Sequence, residues 1–260
     1  MDKEKKLKIG FYEFSGCAGD LLTIIHNEDY LLKVWNSAEI ISFRLATSKR
    51  DEKANLDIAF VEGSITAEEQ IEELRKIREK SRILIALGTC ASFGGLQSMY
   101  SHLGDFSSRF NSIYPHKFTI LKPIESKPLE SYVKVDYFIP GCPIDFKLFL
   151  FNFTRLLRNL PVELPSYPVC IECKWQENNC LLLKKIPCLG PLTRAGCQAR
   201  CPTHNLPCVG CFGPYEDLNL PSWLKTLQEN NIPFKELEKK IRMFFGVKVK
   251  EILSKLKNKK

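Results

Sequence analysis

Eight cysteines lie between residues 170 and 211, spaced C-x2-C-x6-C-x7-C-x8-C-x3-C-x6-C-x2-C. The same stretch carries little legible helix or strand periodicity, and its apolar content is thin for an independent core. Something other than side-chain packing must therefore organise residues 165 to 220. Prolines cluster just before it, in "LPVELPSYPVC" (160–170), where the preceding alternation of apolar runs stops. A domain boundary is expected near residue 165, separating 1–165 from 166–260.

The chain has eleven cysteines, an odd number, and opens on a charged "MDKEKK" with no apolar leader segment. No run of eighteen apolar residues occurs anywhere in its length. A cytoplasmic location without a membrane span is expected, and in that reducing setting thiols serve metal or redox chemistry sooner than disulfides. Eight thiolates divide into two tetrahedral sets. Two all-cysteine zinc sites and two 4Fe-4S clusters satisfy that arithmetic equally.

Residues 1–165 alternate between strand-like and helix-like runs. "LKIGFYEF" (7–14), "AEIISFRLA", "NLDIAFVEG", "SRILIALG" (81–88) and "VKVDYFIPG" (133–141) are short and apolar, and β-branched residues are frequent in them. "DLLTIIHNEDYLLKVW" (20–35) and "SITAEEQIEELRKIREK" (64–80) have helical spacing, the second with Thr66 as candidate cap. The class expected is α/β, a parallel sheet covered by helices. Cys17, Cys90 and Cys142 each fall just beyond one of these strands, with Gly16, Gly88 and Gly141 preceding them and Gly94 and Gly95 following Cys90. Strand carboxyl ends are where open parallel sheets bind ligands, and glycine lets backbone amides approach a bulky inorganic group.

"ALGTCASFGG", "IPGCP", "CLGPLTRAGC" and "PCVGC", supported by "DIAFVEGSI" and "PVCIEC", resemble the motifs of the small, electron-transferring subunit of nickel-iron hydrogenases. The likeness runs from the first strand to about residue 213. It points in particular to the delta subunit of cytoplasmic archaeal sulfhydrogenases, which couple hydrogen to NADP(H) and can reduce sulfur. The resemblance implies a flavodoxin-like domain followed by a small irregular iron-sulfur domain, with three clusters, all 4Fe-4S. Cys17, Cys90 and Cys142 would hold the proximal cluster. Cys197, Cys201, Cys208 and Cys211 would hold the medial one, Cys201 standing where many relatives have proline. The distal cluster would take Cys170, Cys173, Cys180 and Cys188, with Cys170 where many relatives use histidine. Expected partners are a nickel-iron large subunit and flavin/NAD(P)-binding or ferredoxin-like iron-sulfur subunits. No residue of this chain is expected to be catalytic in its own right. Two rivals stand beside this reading: an iron-sulfur electron wire in a complex without hydrogenase activity, and a zinc-organised interaction module.

Three clusters need twelve ligands and the chain offers eleven thiols. Asp20 occupies the place where the family pattern C-x-x-C has its second cysteine, and is expected to supply the twelfth; capping a helix that begins at Leu21 is the competing role. Glu13 and Glu62 read as exposed carboxylates. Arg194, Arg200, Lys184 and Lys185 read as solvated charge, and His204 as surface or surroundings of the medial site. The net charge of +8 gathers in "KELEKKIRMFFGVKVKEILSKLKNKK", read as a basic helical tail with a solvated face. Without an aromatic-basic or helix-turn-helix pattern, that charge does not point to nucleic acid.

Overall fold

The computed structural model describes residues 6–48, 51, 53–101, 103–114, 122–246 and 252. The chain divides into two compact units, Met1–Val162 and Glu163–Lys260.

The first unit runs β1 (Lys8–Glu13), α1 (Gly19–Ile25), α2 (Glu28–Ser37), β2 (Glu39–Phe43), β3 (Leu56–Glu62), β4 (Ile65–Ala67), α3 (Glu68–Lys80), β5 (Ser81–Leu87), α4 (Gly88–Phe93), α5 (Phe106–Ile113), β6 (Pro123–Lys127), β7 (Tyr137–Ile139) and α6 (Phe146–Leu157). Five strands form a parallel sheet in the order β2-β1-β3-β5-β7, while β4 and β6 pair separately and antiparallel. Counted along the chain, the sheet strands follow the 2-1-3-4-5 order of flavodoxin-like folds, with the switch in direction between β1 and β3.

Period-two alternation sends each strand's apolar residues to both faces. Ile9, Phe11, Ile58, Phe60, Ile85 and Leu87 pack on one side with Leu21 and Ile24 of α1 and Phe149 and Phe153 of α6. The ring of Phe60 stacks on Phe11 at 5.1 Å and meets Phe149 edge-on at 5.5 Å. Ala59, Val61, Leu84 and Ala86 turn the other way and bury Leu74 and Ile77 of α3. Both faces are covered, so the strands can be apolar throughout.

Two expected elements differ. The helix expected over residues 20–35 is broken at His26–Asn27, where the Asn27 side-chain amide donates back to the Thr23 carbonyl at 2.6 Å. Thr66 does not cap α3, because Ile65–Ala67 is drawn into β4. The Gln70 side-chain oxygen instead accepts the amides of Thr66 and Ala67, at 2.8 and 3.3 Å.

The second unit holds α7 (Val169–Trp175), α8 (Arg200–Thr203), α9 (Leu220–Glu229) and α10 (Phe234–Phe244), with a short 3-10 turn at Leu182–Lys184. Its core joins apolar residues of the cysteine-rich segment to those of α9 and α10, and the solvated face expected of the charged tail has a buried apolar face behind it. Trp223, Leu227, Leu237, Ile241 and Phe245 bury themselves with Val169, Leu189 and Leu192, and Cys188 and Cys208 belong to the same cluster. The charged tail is amphipathic in α10, and its apolar stripe is the seal over the cysteine loops. Apart from Ile252, the tail beyond Gly246 lies outside the described residues.

Candidate metal centres

At the carboxyl rim of the first sheet, Cys17 follows β1, Cys90 sits in the first turn of α4 after β5, and Cys142 follows β7. Cys17 and Cys142 are exposed and Cys90 half-buried. Burial pushes the Cys90 thiol up to about 12, with neighbouring Cys142, Asp20 and Cys17 adding to the rise, so these four groups face one another. Cys90 donates to the side-chain oxygen of Gln97 at 3.3 Å, and Gln97 in turn donates to the Ser15 carbonyl at 3.1 Å, tying two rim loops together. Gly95 lets this loop close: its φ is +59°, and a Cβ there would lie 2.6 Å from the Cys90 sulfur.

Asp20 is the second residue of α1 and is buried. Its Oδ1 accepts the Ile144 amide at 2.8 Å, holding the loop that carries Cys142. Its other oxygen lies against Gly88, where a Cβ would fall 1.7 Å from Oδ2 and where φ is +80°. Asp20 does not cap α1. That work falls to Glu62, whose Oε2 accepts the Leu21 amide at 2.9 Å and whose Oε1 accepts the Asp20 amide at 3.4 Å. Glu62 is only 2% exposed, correcting its reading as a surface carboxylate; it ends a central strand, in register with Glu13 and Leu87, beneath the start of α1. Burial raises Glu62, and burial followed by Glu62 itself raises Asp20 to about 7. Glu13 remains half-buried.

In the second unit, Cys170, Cys173, Cys180 and Cys188 line one hollow, walled by Val169, Leu182 and Gly190. Burial pushes Cys170 up to about 12, and Cys188, Cys173 and Cys180 contribute in that order. The Cys188 sulfur accepts amides from Cys208 at 3.3 Å and Gly190 at 3.5 Å. A Cβ on Gly190 would lie 3.3 Å from the Cys170 sulfur and 3.5 Å from that of Cys188, so the backbone comes as close to both as an absent side chain allows. Trp223 of α9 donates to the Cys188 carbonyl at 3.4 Å.

The remaining thiols fall in neighbouring pairs. Burial brings Cys197 up to about 11, with Glu172 and then Cys201 adding to it. Cys208 is held well above the usual thiol range by burial first, then by Cys188, and also by Cys211; its sulfur donates to Thr193 Oγ1 at 3.5 Å. Cys208 therefore stands between its partner Cys211 and the hollow of the other four. Arg194 is not the solvated cation expected beside Cys197. It is 4% exposed, donating to the Pro165 carbonyl at 2.8 Å and pairing with Glu216. Arg200, Lys184, Lys185 and His204 are exposed.

These residues fit iron-sulfur centres. The donors are soft thiols, none of the eleven is in a disulfide, and buried thiols crowded together hold their protons until metal cations replace them. Glycine backbone and sulfur-directed amides supply the close cradle an anionic cluster needs.

The family model described as NADH ubiquinone oxidoreductase, 20 Kd subunit, matches residues 17–156, which include all three rim cysteines. The chain belongs to this family. Over 92% of its length it is 38% identical to the sulfhydrogenase 2 subunit delta of Pyrococcus furiosus, covering 99% of that protein. It is 33% identical to a vhu subunit of the F420-non-reducing hydrogenase of Methanocaldococcus jannaschii, over 80% of this chain and 82% of that one. Within the family it stands with the hydrogenase small subunits, as part of an oxidoreductase. The fold is shared with a solved NAD+-reducing [NiFe]-hydrogenase structure at a TM-score of 0.55, with 24% identity, over 62% of this chain and 96% of that one. Among the described residues, no helix is long and apolar enough to cross a membrane.

Proposed function

We propose that this chain is the electron-transferring small subunit of a cytoplasmic nickel-iron hydrogenase of the sulfhydrogenase kind. It pairs with a nickel-iron large subunit on one side and passes electrons to or from flavin/NAD(P)-binding or ferredoxin-like iron-sulfur subunits on the other. In this reading Cys17, Asp20, Cys90 and Cys142 hold a proximal 4Fe-4S cluster. Cys197, Cys201, Cys208 and Cys211 hold the medial cluster, and Cys170, Cys173, Cys180 and Cys188 the distal one. Such clusters, when bound, take up and release single electrons.

The observation that carries the reading is the contact between the two thiol groups of the second unit: Cys208 of one set directs its amide at the Cys188 sulfur of the other. A relay needs neighbouring centres separated by protein and shielded from water. Cys188 and Cys208 are both buried, Gly190 lies against both residues, and Trp223 and Phe245 close over them.

The test is anaerobic purification of the native complex, followed by iron, sulfide, zinc and nickel analysis and EPR. About twelve iron and twelve sulfide per copy of this chain, with nickel in a co-purifying large subunit, is the expected result. A colourless protein containing zinc and no sulfide defeats the reading.

A further inference from the structure

Glu172 sits in α7 between Cys170 and Cys173, yet its carboxylate serves the other thiol group. Oε1 accepts the Gly196 amide at 2.8 Å, Oε2 accepts the Ala199 amide at 3.2 Å, and Oε2 lies 4.0 Å from the Cys197 sulfur. The residue is 7% exposed. The loop it holds needs holding. Gln198 and Ala199 both adopt left-handed backbone angles, at φ +55° and +50°, a conformation strained for any residue with a Cβ. Charge-assisted hydrogen bonds to two amides of that loop offset this strain. A hydrophobic or amide side chain could fill the space, but would not bring a carboxylate beside a metal-binding sulfur.

We propose that Glu172 is a positioning residue that fixes Cys197 and sets the reduction potential of the centre Cys197 binds. The carboxylate beside the sulfur disfavours an added electron and so keeps that potential low. Because its backbone lies between two cysteines of the neighbouring group, Glu172 also fixes one thiol set relative to the other. The inference rests on the reading that Cys197 binds a redox-active cluster.

The experiment is an EPR-monitored redox titration of the anaerobic complex carrying Glu172→Gln, with Glu172→Asp beside it. At a fixed solution potential, the reduced-to-oxidised ratio of one cluster signal rises about tenfold or more in Glu172→Gln, from the loss of one nearby charge in a partly buried setting. That is an upward shift of about 59 mV or more for a single electron. The other signals stay in place, and Glu172→Asp, which keeps the charge, stays near the native value. An unshifted potential in a Glu172→Gln protein with full iron content overturns the proposal. If Glu172→Gln loses its cluster, Glu172→Asp decides: a retained cluster at native potential supports the charge role, and a retained cluster with a raised potential, or a lost one, overturns it. Absence of any cluster signal from the native complex is a different failure, that of the parent reading.

Discussion

Asp20 is the most informative residue to change, because ligation and loop positioning make opposite demands on its replacements. Without metal, burial and Glu62 raise its carboxyl from 3.8 to about 7. At about 1.4 kcal/mol per pH unit, that places the cost of holding it charged at neutral pH on the order of 4 kcal/mol. The sign follows from the raised folded value: the metal-free chain loses stability as pH rises from about 4 to about 7, and a cation held by this carboxylate would remove the penalty. Three substitutions separate the roles. Asp20→Asn keeps an oxygen to accept the Ile144 amide but is a poor iron ligand. Asp20→Ala removes both functions and also leaves a buried amide unsatisfied, at about 1–3 kcal/mol. Asp20→Cys restores the family's thiol. With Asp20 as a ligand, Asn and Ala each lose about one iron per chain and share a three-iron EPR signal, whereas Cys keeps the full complement with a shifted potential. With Asp20 only anchoring the Cys142 loop, Asn behaves as native and Ala alone is impaired. Iron quantification with EPR on the anaerobic complex reads all three. Native iron content and spectra in both Asn and Ala refute ligation.

Phe245 is fully buried, and its ring lies 2.9 Å from where a Cβ on Gly210 would stand, between Cys208 and Cys211. Phe245→Ala should cost about 3–5 kcal/mol in denaturant unfolding and loosen the loop that carries those cysteines, whereas Lys239→Ala in the preceding α10 should change neither. A second prediction concerns pH. The Leu84 amide and Arg78 hold Asp136 below the usual carboxylate range despite the opposing effect of burial. Its stabilisation is therefore present above about pH 4 and lost as pH falls below it. Asp136→Asn should cost about 1 kcal/mol at pH 7, shrinking as pH falls below the ordinary carboxylate range. A gap that widens on acidification contradicts the assignment.

The five sheet strands were legible because a parallel sheet covered on both faces must be built from nearly continuous apolar runs, and "NLDIAFVEG" and "SRILIALG" are such runs. Cysteine spacing and the rim position of Cys17, Cys90 and Cys142 carried the site. What escaped depends on contacts between distant residues. Glu62 looks like any strand-end carboxylate until α1, which begins more than forty residues earlier in the sequence, rests on it. Arg194 reads as surface charge until Pro165 and Glu216 surround it. Gln70 takes the place of Thr66 because β4 pulls Thr66 into a strand. The core role of α10 was recoverable: Phe234, Leu237, Ile241 and Phe245 recur at helical spacing beneath the lysines. Net charge masked a stripe that periodicity displays.

The two units stand in different relation to their thiols. The first rests on a sheet whose two apolar faces are filled by Phe11, Phe60, Phe149 and their neighbours on one side and by Val61, Leu74 and Leu84 on the other. Its cysteines hang from the rim and contribute nothing to either core. In the second unit Cys188 and Cys208 are core residues, and Cys173, Cys180 and Cys197 pack against the same cluster. Buried thiols there carry raised proton affinity and lie near one another, so cations that displaced their protons would relieve the cost of burying them. On the proposed function, metal binding is part of folding in the second unit and an addition to a finished sheet in the first. On that reading the centres organise the cysteine-rich segment, which has no independent core before α9 and α10, and the two helices supply the apolar lid over it.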